Sequence, residues 1–563
     1  MCEGKMDNKK LADMLFPFVE KEATEYLEQN KKRNLKAGAE VTRIAPSPTG
    51  YLHIGSVFGA FIDKLIAYHS GGVYYMRLED TDSKREVGNA GDIAYDMLCH
   101  FGLRPDEGYA GSKHAQIGDY GDYIQSKRKD IYVSFAKYLV EKGRAYPCFC
   151  ESAQDKNEIL KRRQEELEGE GDIEEKDACR DLTFEQIEEN LKNRMPFAIR
   201  LKSMGDPNKT FKFFDEIKGE REIRENAKDI VILKSNFTPP YALAHVVDDT
   251  LMGTTTVVRG EEWYPSLSSH LELFNAFGLK PPKYAHTPVV CKIDADGNKR
   301  KLSKRKDKEA DTRYFITQGY PVESVMEYLL NLINSNFEDW RRQNKTASIY
   351  DFPFSVRKIG SNNPIFDFQK LDDCSKQVIS RFSSEEIFKQ TLAWAKEYDK
   401  PFAKILEDKK DFCLRLFDID RKNCNNPRKD IAKWSDVKGL YNYMFFSLDG
   451  KVVSDYDFDE NVNKNDIAGI LKAYEKVFNS QDEKQTWFDK IRALCGQFGF
   501  ASDMKEYRNN KDAFKGSVAD VSGIIRVAIT TRRNSPDLYF LMNLLGQDEV
   551  AKRLDKVAKL LEN

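Results

Sequence analysis

The chain has 563 residues, with 89 Lys and Arg against 91 Asp and Glu, a formal net charge of −2; 40 % of the residues are hydrophobic and 32 % charged. At about 100–200 residues per domain, that is material for roughly three to five domains. A mean hydropathy of −0.62 and the lack of an apolar run near the about 18–20 residues of a membrane span exclude a spanning helix. Near-neutral charge excludes a uniformly basic nucleic-acid coat but leaves room for a local basic groove on an acidic body.

From the N-terminus, the first thirty-odd residues are rich in acids and lack an apolar core of about 7–15 residues, so they read as neither a secretory signal nor a transit peptide. Ten cysteines in a chain of this length are too sparse for a disulfide scaffold; reduced thiols in a cytoplasm are the expectation. Leu11, Met14, Leu15, Phe18 and Val19 fall at i, i+3, i+4, i+7 and i+8, which predicts an amphipathic helix over 9–30, either continuous or split by Pro17. Val41–Ala45 reads as a strand, Pro46-Ser47-Pro48-Thr49-Gly50 as turn chemistry, the stretch from Gly55 as a helix and Val73–Leu78 as a second strand. Strand, glycine turn, helix and strand make a βαβ unit and predict a parallel sheet. Glu158–Glu170 reads as a charge-dense helix, Pro196–Leu201 and Thr210–Phe214 as alternating strands, Asp229–Leu233 as a return to a buried parallel strand, and Val257–Arg259 as another strand. Beyond about residue 310 the pattern is helical to the end.

Two segments carry chemistry. Arg43–Gly55 places a rigid turn and small residues at a helix start, where glycine lets the backbone approach a nucleotide and the helix dipole favours phosphate. His53, just before that start, can donate to a phosphate oxygen. An ordinary βα loop is the bland alternative, and three residues alone would favour it. Lys299–Lys306 holds six cations in eight residues after a Gly-containing turn. Such a run is usually a solvated loop; the functional alternative is a mobile loop whose ammonium groups stabilise charge on a transferring phosphate.

Together the two segments resemble the nucleotide motifs of the glutamyl-tRNA synthetases, which are class I aminoacyl-tRNA synthetases. The family's HIGH motif stands here as His53-Ile54-Gly55-Ser56 and its KMSKS motif as Lys301-Leu302-Ser303-Lys304-Arg305. The surroundings are more specific: Arg43-x-x-Pro46-Ser47-Pro48-x-Gly50-x-Leu52, Arg77-Leu78-Glu79-Asp80-Thr81-Asp82, Gln125-Ser126, Val246-Val247-Asp248-Asp249 and Arg259-Gly260-Glu261-Glu262-Trp263 are similar to the family in order and spacing. The helical half matches more loosely, through Phe366-Asp367-x-x-Lys370-Leu371 and Ile525–Ala528.

The resemblance implies an α/β fold: a Rossmann-type doubly wound parallel sheet, an α+β insertion that binds the acceptor stem, and an all-helical anticodon-binding region. The implied boundaries are an N-terminal helical extension at 1–38, the two catalytic halves at 39–143 and 227–285, the insertion at 144–226, a KMSKS-loop and stem-contact region at 286–370, and an anticodon-binding domain at 371–563. It also implies ATP-dependent ligation of glutamate to tRNA-Glu through a glutamyl-adenylate, with Mg²⁺ accompanying ATP. His53, Lys301 and Lys304 would stabilise the phosphates; Gly55, Glu262, Trp263 and Ser303 would complete the ATP site. Arg43 and Tyr241 would meet the side-chain carboxylate of glutamate, Ser47 and Arg259 the α-carboxylate, and Glu79 the α-amino group. Two arginines suit a dicarboxylic acid because the guanidinium fork matches carboxylates; a sheet-end ion pair is the alternative for each. His245 stands where the bacterial enzymes commonly carry Asn: a further hydrogen-bond donor to the γ-carboxylate, or a satisfied core histidine. Cys148, Cys150, Cys179 and Asp181 stand where some members bind structural Zn²⁺ through a CxC…CxH set; structural zinc favours Cys and His, so a vestigial or absent site is the other outcome.

The implied partners are tRNA-Glu, L-glutamate and ATP, with no membrane, and a monomer is expected. Basic residues at Arg421–Arg428 and Arg532-Arg533, and the aromatics Trp434, Tyr441 and Tyr443, are weighed as tRNA contacts, with core packing the stronger reading for the aromatics. A glutaminyl enzyme or a truncated tRNA-modifying relative is disfavoured by the length and the helical second half. A non-discriminating enzyme that also charges tRNA-Gln, and a catalytically silent RNA-binding paralogue, stay open.

Overall fold

The computed structural model describes residues 7–48, 50–81, 89–150, 178–303 and 305–562; the expected helix at Glu158–Glu170 and the side chain of Lys304 lie outside them. Two compact units result, one of Met1–Tyr314 with Leu329–Asp367, the other of Phe315–Tyr328 with Phe368–Asn563.

In the first unit, the N-terminal pattern forms two helices, α1 (Asn8–Leu15) and α2 (Ala23–Glu28). The Asp7 carboxylate caps α1 by accepting from the Lys9 and Lys10 amides. The helix ends at Phe16, directly before the ring of Pro17, which cannot donate to a continuing ladder. Leu11, Ala12, Leu15 and Phe16 share a core with Tyr132, Phe135 and Ala136 of the Lys129–Glu141 helix, and Lys137 pins the pair through Asp13 at 3.0 Å and Glu22 at 2.9 Å.

Strands β1 (Val41–Ile44), β2 (Val73–Met76) and β3 (Glu107–Gly108) form a parallel sheet, with Val41 facing Val73 and Ile44 facing Met76. Between β1 and β2 runs α3 (Ile54–Ser70), whose buried apolar residues cover the sheet and which Gly71 closes in a left-handed conformation at φ 67°. The predicted βαβ unit is therefore present. Strands β4 (Ala145–Cys148) and β5 (Ala198–Leu201) pair antiparallel, and β6 (Thr210–Asp215) and β7 (Gly219–Arg224) form a hairpin. β8 (Val231–Leu233), expected to be parallel, is antiparallel to β5. β9 (Thr256–Gly260) and β10 (Lys283–Thr287) are parallel, and β10 meets β6 in parallel through Tyr284 and Asp215. A Thr255 amide bonded to the Val41 carbonyl at 3.0 Å sets β9 beside β1. This brings the carboxyl ends of β1 and β9 together, the position at which α/β sheets bind their ligands. β11 (Cys291–Ile293) and β12 (Lys299–Lys301) form an antiparallel hairpin beyond them.

The described residues of the second unit form helices and turns with no sheet, from Phe368–Ile379 to Gln547–Glu562. One core gathers Ile387, Leu416 and Trp434, another Ile470, Ile491 and Ile525. Tyr441 and Tyr443 are buried in the first of these cores. Arg421 is buried as well and bonds Asp430, while Arg532 donates to the carbonyls of Gly439 and Leu440. These side chains close helix ends and fill the interior. Among the described residues, no helix is long and apolar enough to cross a membrane.

Candidate active site

A cleft of about 490 Å³ opens at the ends of β1 and β9. Its wall includes Arg43, Ser47, His53, Gly55, Glu79 and Tyr241, and equally Arg259, Glu262, Trp263 and Lys301. The turn that starts α3 and the end of β12, about 250 residues apart in sequence, therefore face one space.

His53 is the N-cap of α3: its backbone is extended at φ −76° and ψ 147°, and its Nδ1 accepts the Gly55 amide at 2.9 Å. An accepting Nδ1 puts the proton of the neutral ring on Nε2, and the positive end of the α3 dipole favours an anion. The opposite wall is built by charge. Lys301 Nζ lies 3.3 Å from Glu262 Oε1, with both groups about half exposed. Behind it, Asp307 receives both arms of Arg300 at 2.7 Å, the Ser303 amide at 2.9 Å and Lys292 at 3.1 Å. The Arg300 fork holds the Asp307 carboxyl well below the usual carboxylate range. Ser303 thus contributes to the anchoring of the loop and is not part of the cleft wall. The Thr312 hydroxyl donates to the Leu52 carbonyl at 2.9 Å, and His53 and Asp311 form an antiparallel bridge, so the loop returns to the turn that precedes α3. Thr312 had no local sequence signal, because its partner, the Leu52 carbonyl, is 260 residues away in sequence.

The floor is an ion network. Arg43 Nε lies 3.4 Å from Asp249 Oδ2, and Arg43 Nη1 donates to the Val258 carbonyl at 3.2 Å. Arg77 reaches Asp249 Oδ1 at 2.6 Å and Glu79 Oε1 at 2.9 Å. Asp248, the neighbour of Asp249, takes Arg128, Gln125 and Tyr132 at 2.7–2.9 Å. Burial opposes the Asp249 charge, and Arg77 and Arg43 overcome it, holding the carboxyl well below its usual range. Burial pushes Glu79 upward against Arg77 and Arg43. Asp63 on α3 also lines the cleft, and burial raises its carboxyl well above the ordinary value.

Arg259 has different company. Its Nε donates to His286 Nε2 at 3.0 Å, its Nη1 faces His270 Nδ1 at 3.0 Å, and the Tyr284 ring lies 4.8 Å from its Cζ. Tyr241 packs on Trp263 with ring centroids 4.5 Å apart. His245 does not line the cleft. It is fully buried beneath Tyr241, stacked at 5.3 Å, with Nε2 2.9 Å from the Tyr284 hydroxyl and Nδ1 2.6 Å from Asp249 Oδ2. Burial pushes its pKa down to about 4 against the pull of Asp249, which favours the neutral ring, and its place beneath Tyr241 matches the core-histidine expectation.

Away from the cleft, the sulfur atoms of Cys148, Cys150 and Cys179 all lie within 4.8 Å of one another, a spacing one cation could span. Asp181 does not join them: its side chain is 84 % exposed and faces Lys202 at 4.0 Å. Three of the four expected donors converge.

The family model "tRNA synthetases class I (E and Q), catalytic domain" matches residues 40–351, and "Anticodon binding domain" matches 434–558. The chain is 44 % identical to a protein named glutamate–tRNA ligase from Acetivibrio thermocellus, over 98 % of this chain and all of that one. It is 42 % identical to the protein of that name from Clostridium perfringens strain SM101, over 99 % of this chain and all of that one. In fold it is similar to the crystal structure of a glutamate tRNA ligase from Elizabethkingia meningosepticum, with a TM-score of 0.70 at 24 % identity, over 92 % of this chain and 99 % of that one. The chain belongs to the class I tRNA synthetase family of the E and Q enzymes.

Proposed function

We propose that this cleft joins L-glutamate to tRNA-Glu at the expense of ATP. The observation that carries the reading is the meeting of the His53–Ser56 turn and Lys301 on one cleft floored by Arg43 and Arg259. An α-carboxylate oxygen of glutamate attacks the α-phosphorus of ATP; the bond to the bridging oxygen breaks, and pyrophosphate leaves with the electron pair. A ribose 2′-hydroxyl of the terminal adenosine then attacks the acyl carbon, its proton passes to the departing phosphate oxygen, and AMP leaves with the electron pair of the broken acyl–oxygen bond. The substrate carboxylate is already a nucleophile, so positioning and charge stabilisation are the protein's task. His53 Nε2–H and the positive end of the α3 dipole meet the phosphates from one side and Lys301 from the other, with Lys304 assigned to the same phosphates by its place in the motif. Mg²⁺ arrives with ATP and neutralises part of its charge. Glu262 and Trp263 offer a carboxylate and an aromatic face to the ribose and adenine. Arg43, Tyr241 and Arg259 hold the carboxylates of glutamate, with Ser47 beside them, and Glu79 takes the α-ammonium.

The helical unit that holds the matched 434–558 segment would engage the anticodon arm through unstacked bases and backbone. Cys148, Cys150 and Cys179 would hold a thiophilic ion such as Zn²⁺; metal analysis of protein purified without chelator tests this. The reading also includes a monomer working in the cytoplasm, which light scattering and cell fractionation test.

The decisive experiment is aminoacylation of total tRNA with radiolabelled glutamate and glutamine, followed by identification of the charged acceptors. Glutamate on tRNA-Glu is the expected product; no charging with glutamate overturns the reading, and added charging of tRNA-Gln widens it.

A further inference from the structure

Arg259 is 7 % exposed, yet among the described residues no carboxylate pairs with it. Its hydrogen-bonding partners are two imidazoles. A guanidinium only donates, so each ring nitrogen it meets must carry a lone pair: Nε2 of His286 at 3.0 Å and Nδ1 of His270 at 3.0 Å. For His286 the other nitrogen explains why. Its Nδ1 lies 2.6 Å from Asp215 Oδ2, and Asp215 is itself fixed by the amides of Ile217 at 3.0 Å and Lys218 at 2.9 Å. A carboxylate at Nδ1 keeps the proton there and leaves Nε2 bare for the arginine. The Tyr284 ring lies 4.8 Å from the guanidinium carbon. Two of the three guanidinium nitrogens are thus occupied by neutral acceptors. The third, Nη2, is buried without a hydrogen-bond partner, on a side chain that lines the cleft.

We propose that His270 and the Asp215–His286 pair are positioning residues that aim Arg259 at a carboxylate of the amino-acid substrate while giving it no direct carboxylate partner of its own. Resting on the glutamate reading above, the proposal deepens it. A carboxylate in the place of either imidazole would fix the arginine equally well but would neutralise it and compete with the substrate. A neutral ring fixes the geometry and leaves the attraction for the ligand's carboxylate.

The test is pyrophosphate exchange by the full chain in the presence of tRNA, with glutamate and ATP varied separately. His286→Leu and His270→Leu are expected to raise the KM for glutamate about tenfold or more, with the KM for ATP within about twofold. Asp215→Asn, which keeps the packing but can offer an amide N–H to His286, is expected to raise it severalfold. In an Arg259→Lys background, His286→Leu is expected to add less than about twofold, since both changes act through one guanidinium. A KM for glutamate that stays within about twofold in Asp215→Asn and in whichever leucine variant melts near wild type overturns the proposal, as does an equal rise in both KM values. Wild-type protein that shows no glutamate-dependent exchange overturns the glutamate reading itself; wild-type exchange with unmoved variants overturns only the role of the histidines.

Discussion

Arg43 and Arg259 end neighbouring strands and reach the same cleft, but the protein treats their charges in opposite ways. Arg43 sits in a lattice of opposite charge, sharing Asp249 with Arg77, whereas Arg259 is held by uncharged rings and an aromatic face. The difference teaches that burial of an arginine does not by itself say what it is for. A paired, desolvated arginine belongs to the stability of the sheet end as much as to a ligand; an arginine fixed by neutral acceptors retains its pull on an incoming anion.

The comparison is easiest to break at Asp249. Asp249→Ala leaves Arg43 and Arg77 buried against each other, and the expected loss is about 3–5 kcal/mol in a denaturant melt, enough to unfold much of the unit; a stability near wild type would dissolve the contrast. At the other strand end, Arg259→Leu should lower glutamate-dependent exchange by about 10²–10³-fold, about 2.7–4 kcal/mol, while stability falls by only about 1–2 kcal/mol from the two acceptors left bare. Equal losses in both measurements would make Arg259 structural like its neighbour. The buried ring of His245 sharpens the picture through pH. Its pKa lies near 4 in the fold against an ordinary 6.5, so as pH falls below about 6.5 the unfolded chain takes up a proton that the folded ring refuses, and stability drops progressively until about pH 4. A urea midpoint that does not decline between pH 7 and 5 would contradict this. The smallest effect belongs to the rim: Glu262→Gln removes a half-exposed partner of Lys301 and should shift stability by no more than about 0.5 kcal/mol, so any larger change in the melt would show the pair to be structural.

Much of the fold was legible because local chemistry and global architecture agreed. The alternation from β1 through the Pro-Ser-Pro turn into α3 and back to β2 is written in residues 41–78, and Pro17 divides the first helix where its ring forbids continuation. Val231–Leu233 was not legible in direction, because a short apolar run looks the same in a parallel and an antiparallel strand; only its partner β5 decides. The cleft was largely legible, since the motif order brought ten of the expected residues to its wall. His245 went differently because the sequence shows a polar residue near the pocket but not the depth at which Tyr241 covers it. Asp181 follows Cys179 by two residues, and spacing cannot tell that its carboxylate turns to Lys202. His270 and His286 carry no signal of their own in the sequence, because each matters through a partner 11 to 71 residues away.

The bond between the Thr312 hydroxyl and the Leu52 carbonyl ties the far end of the cationic loop to the peptide just ahead of His53. Lys301 and His53 are therefore gripped by one mechanical frame, and a shift of the loop toward a bound triphosphate would tug at the cap of α3. Tightening on the nucleotide from one jaw would be felt at the other without any wholesale motion of the sheet.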